Sequence, residues 1–503
     1  MSKYRLRFAR HLLTPRCLLA TVLSASVVSQ PFRIHPAQAQ ANAYCQLPVA
    51  ARQEKETLLQ SALEGNKEAE NRYKTLLKED AEQLQQCRSR TWPETQAVWL
   101  RLYPCDIQPG ALDKIMDRIV NRGYNQVYIE VFYDGQVLLP ASDNPTVWPP
   151  VVRVPGSENT DLLAQAIQKG RERGLKVYAW MFLMNFGYSY ALRPERESVV
   201  ARNGKGETSL YVVDNNSQLF IDPYNPQAKR DYYQLVTEVI RRRPDGVLFD
   251  YVRYPRSLGS SSVVNKVQDL WIYSNAAQQA LYQRALNNKG LELIRRFLRK
   301  GYVTVGDVKA VDKLYPQERE PLWQGRTLPP PPAPSSPLPS AALRQPLLQW
   351  ELWQLSVAHA LQGILDFVAV ATWPLQQQGM RAGAVFFPDG NQAVGQQGYD
   401  SRLQPWDRFP TTLEWHPMSY ATCGNVSCIA ALVQRVVSQA PAGTQVIPVI
   451  AGVWGQSMSN RPSLEAQMQA IRQVAPQIRG VSHFAYSWQE PQFDSDRKSC
   501  RPR

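Results

Sequence analysis

The chain has 503 residues, with 57 Lys and Arg against 43 Asp and Glu and a formal net charge of +14. Hydrophobic residues make up 44% and charged residues 20%, the balance of a globular protein rather than a disordered or fibrous one. No uninterrupted apolar run approaches the ~20 residues of a membrane-spanning helix, which excludes an integral channel or transporter, an N-terminal anchor apart.

Residues 1–39 carry Lys3, Arg5, Arg7, Arg10, Arg16 and Arg33 and no acid. A basic start, the apolar stretch Cys17–Val28 and Ala37-Gln38-Ala39 read as a secretory signal peptide, the alternative being an uncleaved anchor. Those six cations leave a net charge of +8 for the mature chain, enough for weak attraction to acidic polymers. Arg241–Arg243 and Arg295-Arg296 read as solvated helix faces, so no nucleic-acid partner is expected. Beyond Cys17, six cysteines remain: Cys45, Cys87, Cys105, Cys423, Cys428 and Cys500. An even number in an exported protein points to disulfides. Cys423 and Cys428 close a short loop. Cys45 and Cys87 bracket a polar helical segment that separates them too widely unless it folds back at Gly65-Asn66 into a hairpin. Cys105 and Cys500 then form the third pair. No cysteine spacing matches a zinc site, and only His359, His416 and His483 remain as imidazole ligands in the mature chain, so no metal or cofactor is expected.

From Ala97 onward short apolar runs alternate with amphipathic helices. Strands are expected at 97–103, 126–133, 175–184, 246–252, 382–387, 413–419, 445–451 and 480–487. Helices are expected at 110–122, 160–173, 226–243, 428–439 and 463–476. Eight strands separated by helices define an α/β fold and close a (β/α)8 TIM barrel. No Gly-rich phosphate loop follows the first strand, which argues against an open doubly wound sheet. The organisation is thus a signal peptide over 1–39, an N-terminal helical hairpin over 40–92 and a barrel over 93–500. The stretch 256–381 after the fourth strand is too long for one barrel helix; it holds helical patterns at 264–300 and 342–368 with a Pro-rich linker at 328–339 between them, and 256–345 of it reads as an insertion. The insertion is either a surface decoration or a lid or docking arm.

In such barrels the site lies at the C-terminal strand ends, and strand alternation identifies the inward residues. On the fourth strand Leu248 and Asp250 point inward, with Asp250 at the top; it is either a catalytic carboxylate or the partner of Arg253. On the second strand Glu130 points inward and faces Arg101 of the first strand, and the two either neutralise each other or act on substrate. Asp134 is a rim ligand or a turn residue before Gly135. Asp389 is the second carboxylate of a catalytic pair or the Asp of a Pro-Asp-Gly turn. Glycoside hydrolysis needs two carboxyl groups flanking the scissile bond, which makes Asp250, Asp389 and Glu130 the catalytic candidates. Aromatic rings crowd the predicted barrel top: Tyr103, Tyr251, Tyr254, Tyr420, Trp454, Tyr486 and Trp488 read as a carbohydrate groove or as ordinary core. Asp222 and Asn225 read as a turn and helix cap that also border the site. Glu414 is a further inward candidate, and His416 reads as a core or substrate-binding histidine.

Ala97–Leu100, Gly123–Tyr128, Arg173–Trp180, Asp222-Pro-Tyr-Asn-Pro226 and Asp245-Gly-Val-Leu-Phe-Asp-Tyr-Val-Arg-Tyr-Pro255 occur in an order that resembles the glycosyl-hydrolase-like 10 family. His416–Tyr420 and Gly480–Tyr486 extend the likeness, which covers about 97–255 and 381–490. The family pattern often carries two acids where this chain has only Asp250 before Tyr251. The resemblance implies an exported barrel that hydrolyses glycosidic bonds, and it adds Trp180 to the substrate-binding set. The leading reading is therefore a cofactor-free, exported glycoside hydrolase acting on a polysaccharide or envelope glycan, periplasmic, envelope-associated or secreted. The alternative is a non-catalytic barrel that binds glycan or assembles envelope components. A metal-dependent deacetylase lacks the histidine ligands.

Overall fold

The computed structural model describes residues 44–212, 218–328 and 337–500. The segment read as a signal peptide lies outside the described residues, as do residues 329–336 of the Pro-rich stretch.

Helices α1 (Val49–Leu63) and α2 (Lys67–Arg90) form the expected hairpin. Its corner uses Gly65 at φ +96°, and Asn66 caps α2 by accepting from the Ala69 N–H at 3.0 Å. The fold-back closes the Cys45–Cys87 disulfide. The buried Arg88 then donates to the carbonyls of Gly123 (3.0 and 2.7 Å), Pro93 (3.0 Å) and Tyr44 (2.6 Å), fixing the hairpin to the barrel.

Eight parallel strands follow: β1 (Thr95–Leu100), β2 (Gln126–Tyr133), β3 (Lys176–Phe182), β4 (Gly246–Asp250), β5 (Arg381–Phe386), β6 (Glu414–Pro417), β7 (Val449–Ala451) and β8 (Gly480–Phe484). They pair in sequence order from β1 to β6, and β8 pairs with both β7 and β1. The β6–β7 seam is joined by the Ile447 N–H to the Trp415 carbonyl and the Ser419 N–H to the Val449 carbonyl, both 2.8 Å. The sheet is thus closed on itself, a (β/α)8 barrel. β7 is shorter than its apolar run because Pro448 has no N–H to give the ladder.

The barrel helices are α3 (Ala111–Asn121), α4 (Leu162–Arg171) and α5 (Pro226–Arg241). After β4 come α6 (Asn275–Tyr282), α7 (Asn288–Lys300), α8 (Val305–Leu314) and the long α9 (Ala341–Gln377). α10 (Val426–Gln439), α11 (Leu464–Val474) and the terminal α12 (Pro491–Ser499) complete the ring. The helical pattern expected over 264–300 is broken twice. A two-residue strand (Val263–Val264), a 3-10 turn (Val267–Asp269) and bends precede α6, and α6 ends at Tyr282, before Asn287 caps α7 by accepting from the Gly290 N–H at 2.9 Å.

α9 is the described helix long and apolar enough to cross a membrane, although no uninterrupted apolar run betrays it. Polar residues such as Gln354, Ser356, His359 and Asp366 interrupt its hydrophobic sequence. In the fold, 61% of its most apolar window is buried within the protein. It covers the barrel beside α5, with Phe367 against Tyr232 at 5.5 Å between ring centres and the Tyr254 hydroxyl donating to the Ala360 carbonyl.

Arg173, 1% exposed, joins the hairpin to the barrel. It donates to Asp117 (2.7 Å), Asp113 (2.9 Å) and the Tyr73 hydroxyl (2.6 Å), and that hydroxyl donates to Asp117 at 2.7 Å. At the other end of the chain, Cys105, just past β1, is bonded to Cys500, just past α12. Cys423 and Cys428 form the third expected disulfide. Replacing Cys105 and Cys500 together by Ser is expected to lower unfolding stability by about 2–5 kcal/mol, read from urea midpoints under oxidising conditions.

Candidate active site

The barrel interior fills in layers. Near the N-terminal strand ends, Tyr178 donates to Glu414 at 3.2 Å, and Arg381 donates to the same carboxylate at 3.2 Å. Gly246 is needed beside it, because a Cβ there would lie 2.4 Å from the Tyr178 ring. Above them Trp99 sits edge-on to Tyr128 (4.9 Å), Trp180 (4.8 Å) and His416 (6.4 Å), and donates to Ser482 at 3.1 Å. His416 is fully buried in this layer, 3.4 Å from Glu414, below the mouth. His416 and Glu414 are therefore core groups.

The top layer opens into a cavity of about 250 Å³. Trp99, Arg101, Glu130, Trp180, Phe182, Asp250, Tyr251, Arg253, Val385, Phe387, Met418, Tyr420 and Phe484 line it. A depression of about 220 Å³ between α1 and α3 also carries charge, but its Glu490 is already held by Arg118 and Arg122.

Asp250 ends β4 and is 9% exposed. The Tyr251 N–H donates to its Oδ1 at 2.6 Å, and Trp180 Nε1 donates to its Oδ2 at 3.2 Å. Burial raises its pKa above the ordinary Asp range, opposed by those donors and by the charge of Arg253. Tyr251 stands at φ +53°, a conformation a bulky side chain rarely adopts and one worth about 1–3 kcal/mol of strain. That turn folds the Tyr251 N–H back onto the carboxylate. The neighbouring strand holds it there, the Leu183 N–H donating to the Asp250 carbonyl at 2.7 Å and Met184 to the Tyr251 carbonyl at 3.2 Å.

Glu130 is 1% exposed and projects from β2 just before a bulge in its pairing with β3. Both its oxygens accept from Arg101, at Nε and, at 3.1 Å, at a terminal nitrogen. Burial pushes its pKa up to about 7 despite that pair, and the Asp134 and Asp250 charges add to the rise. The Arg101 guanidinium also lies over the Tyr133 ring, 4.3 Å from its centre.

The structure brings together Asp250, Glu130, Arg101, Trp180, Tyr251, Arg253 and Tyr420 of the residues singled out in the sequence. Arg253 is not an ion-pair partner of Asp250: its side chain donates to the Tyr254 carbonyl at 2.9 Å and faces the Tyr251 ring at 4.6 Å. Asp389 lies outside the cavity lining. It occupies the turn closed by the Gly390 N–H and the Phe387 carbonyl, is 47% exposed and pairs with Arg402 at 3.0 Å. Asp134, at φ +47°, and Gly135 form the two-residue turn of a hairpin in which Gln136-Val137 pairs back onto β2, and Asp134 does not line the cavity. Asp222 is fully buried and accepts from the Ser274 hydroxyl (2.7 Å) and the Ala277 N–H (2.9 Å), docking α6. Asn225 caps α5.

Several aromatic residues also lie away from the cavity, because packing claims their rings. Tyr103 bonds Asp494 of α12, and Tyr254 is sealed under α9. Tyr486 lies 5.6 Å from the Arg497 guanidinium, Trp454 packs on Tyr44 and His483, and Trp488 faces Arg461. In their place Phe182, Phe387 and Phe484 line the mouth. Phe182 had a legible signal, lying two residues beyond Trp180 on the same strand face. Among the described residues no cluster of three or more His, Cys, Asp or Glu side chains is placed to hold a metal ion.

A closed parallel barrel with two buried carboxyl groups and a ring of aromatic side chains at its C-terminal mouth defines the class of this protein. Residues 96–289 match the model of the family described as Glycosyl hydrolase-like 10. That match spans β1 to β4, Asp250 and the start of the insertion; the likeness expected over 381–490 lies outside it. No curated protein matches the chain. Among solved structures, similarity is found to an α-L-fucosidase isoenzyme from Paenibacillus thiaminolyticus, at 11% identity and TM-score 0.37 over 78% of this chain and 46% of that one. A chitinase from Pseudoalteromonas aurantia is 9% identical with TM-score 0.35, over 78% of this chain and 94% of that one. An exo-β-N-acetylglucosaminidase from Vibrio harveyi is 9% identical with TM-score 0.34, over 78% and 50%. The chain spans about half the length of the fucosidase and glucosaminidase chains it matches.

Proposed function

We propose that the protein is an exported glycoside hydrolase in which Asp250 and Glu130 form the carboxyl pair. The observation that carries this reading is that, among the described residues, these two are the acids that line the aromatic-walled cavity at the barrel mouth. Asp250, held by two N–H donors, serves as nucleophile or base. Glu130, whose pKa is pushed up to about 7, serves as proton donor to the leaving oxygen. Trp180, Tyr251 and Tyr420 offer faces for the apolar sides of sugar rings. Three disulfides suit an oxidising compartment, and with the N-terminal signal they support export and an envelope or extracellular polysaccharide as substrate.

The test is release of reducing ends from a panel of envelope and extracellular glycans by the wild-type protein and its Asp250→Asn variant. Cleavage by the first and not the second supports the reading; no cleavage of any glycan by either overturns it. The second reading, a barrel that binds glycan without chemistry, draws on one observation: both Glu130 oxygens already accept from Arg101.

The pH dependence follows from the two acids. Glu130 acts only while protonated, so activity is present below about pH 7 and is lost as pH rises through that value. Asp250 acts only while ionised, so activity also falls on the acid side, at a pH above the ordinary Asp range. A pH–rate profile of kcat/KM checks both limbs, and Glu130→Gln removes the alkaline limb along with most of the rate.

A further inference from the structure

Two arginines line the cavity, and they are differently placed. The Arg101 fork is occupied by both oxygens of Glu130. Arg253 is 7% exposed and carries its charge into the cavity wall. Among the described residues its side chain makes one hydrogen bond, to the Tyr254 carbonyl at 2.9 Å. Otherwise it meets aromatic faces, Tyr251 at 4.6 Å, Phe220 at 5.6 Å and Phe387 at 5.7 Å. Of the other cations on this rim, Arg402 is committed to Asp400 and Asp389, and Arg256, over the Phe387 ring, is exposed to solvent and outside the cavity lining. A guanidinium removed from water and left without an anion in contact is unfavourable, and rings and one carbonyl offset that only partly. The planar fork matches an oxyanion far better than it matches a sugar hydroxyl.

We propose that the glycan bound in this cavity carries an oxyanion substituent, carboxylate or sulfate, and that Arg253 holds it. This rests on the hydrolase reading for the location of the glycan but not for any chemistry. The raised proton affinity of Glu130 works in the same direction, since a protonated Glu130 leaves the cavity with two cations and one carboxylate.

Affinity electrophoresis tests it, with protein purified after periplasmic expression. The probes are polygalacturonate and alginate with their carboxyl-reduced forms, and a sulfated galactan with its desulfated form. Wild type is compared with Arg253→Gln, Arg253→Lys and Arg230→Gln, the last an exposed arginine on α5 that gives the same charge change away from the cavity. The expected result is retention of at least one acidic polymer by wild type and Arg230→Gln, weaker by about 10- to 100-fold for Arg253→Gln and intermediate for Arg253→Lys. Binding of the neutral counterpart stays weak and equal in all four. Whether carboxylate or sulfate is taken is read from which pair discriminates. Equal retention by Arg253→Gln and wild type, equal retention of acidic and neutral forms, or no retention of any acidic polymer overturns the proposal. Thermal melting of each variant separates lost recognition from lost folding. Arg253-dependent binding with no cleavage of the bound polymer would sink the hydrolase reading and leave this one standing.

Discussion

Asp250→Asn is expected to reduce glycan cleavage by about 10³-fold or more while leaving the barrel folded. The substitution keeps the shape of the side chain and removes a charge that burial already opposes. It has one local consequence. The carboxylate accepts from both the Tyr251 N–H and Trp180 Nε1, but an amide has a single oxygen, so one of those donors loses its partner. That loss amounts to about 1 kcal/mol of stability, well within what a closed barrel tolerates. The discriminating measurement is kcat against KM on the same substrate: the fall should lie in kcat, because the substitution removes none of the aromatic rings proposed to bind the sugar. A variant that cleaves at the wild-type rate would remove Asp250 from the chemistry.

Arg173→Met is the largest expected effect on stability, about 3–5 kcal/mol. Methionine fills much of the volume but leaves Asp113 and Asp117 buried around a missing cation and takes a donor from the Tyr73 hydroxyl. Lys169 still reaches Asp113 at 3.0 Å, so the greater penalty falls on Asp117. Adding Asp117→Asn to Arg173→Met should therefore restore part of the loss, measurable as a urea-midpoint shift in a double-mutant cycle. Specific activity per folded molecule should hold, since Arg173 is absent from the cavity lining. An Arg173→Met protein as stable as wild type would mean that the hairpin is not anchored through this network.

The barrel was legible because its evidence is periodic. Alternation along β2 and β4 placed Glu130 and Asp250 inside, and Val247 and Phe249 outside, before any contact was known. The hairpin followed from chain geometry: two cysteines can bond across a polar helical stretch only if it turns, and Gly65-Asn66 is where it turns. What eluded the sequence depends on what each side chain meets across the fold. Asp222 and Asn225 form the turn and helix cap read from the sequence, but the anchoring of the insertion by Asp222, through Ser274 and the Ala277 N–H, left no signal there. Tyr254 follows the Asp250 motif by four residues and is sealed beneath α9, whose position is set by an insertion with no barrel periodicity. Phe387 entered no prediction, although it faces Arg253, Arg256 and Arg402 at the rim, because ring–guanidinium contacts leave no spacing to read.

The Cys105–Cys500 bond has a consequence for proteolysis. Its two sulfurs lie 395 positions apart along the chain, so nearly the whole barrel is one covalent loop. A single cut within that loop, between β4 and β5 for example, opens the loop without releasing a fragment. The piece bearing Asp250 and Glu130 stays attached to the piece bearing β5 to β8, and the nicked molecule divides only when the disulfide is reduced. Partial proteolysis should therefore yield one band without reductant and two with it.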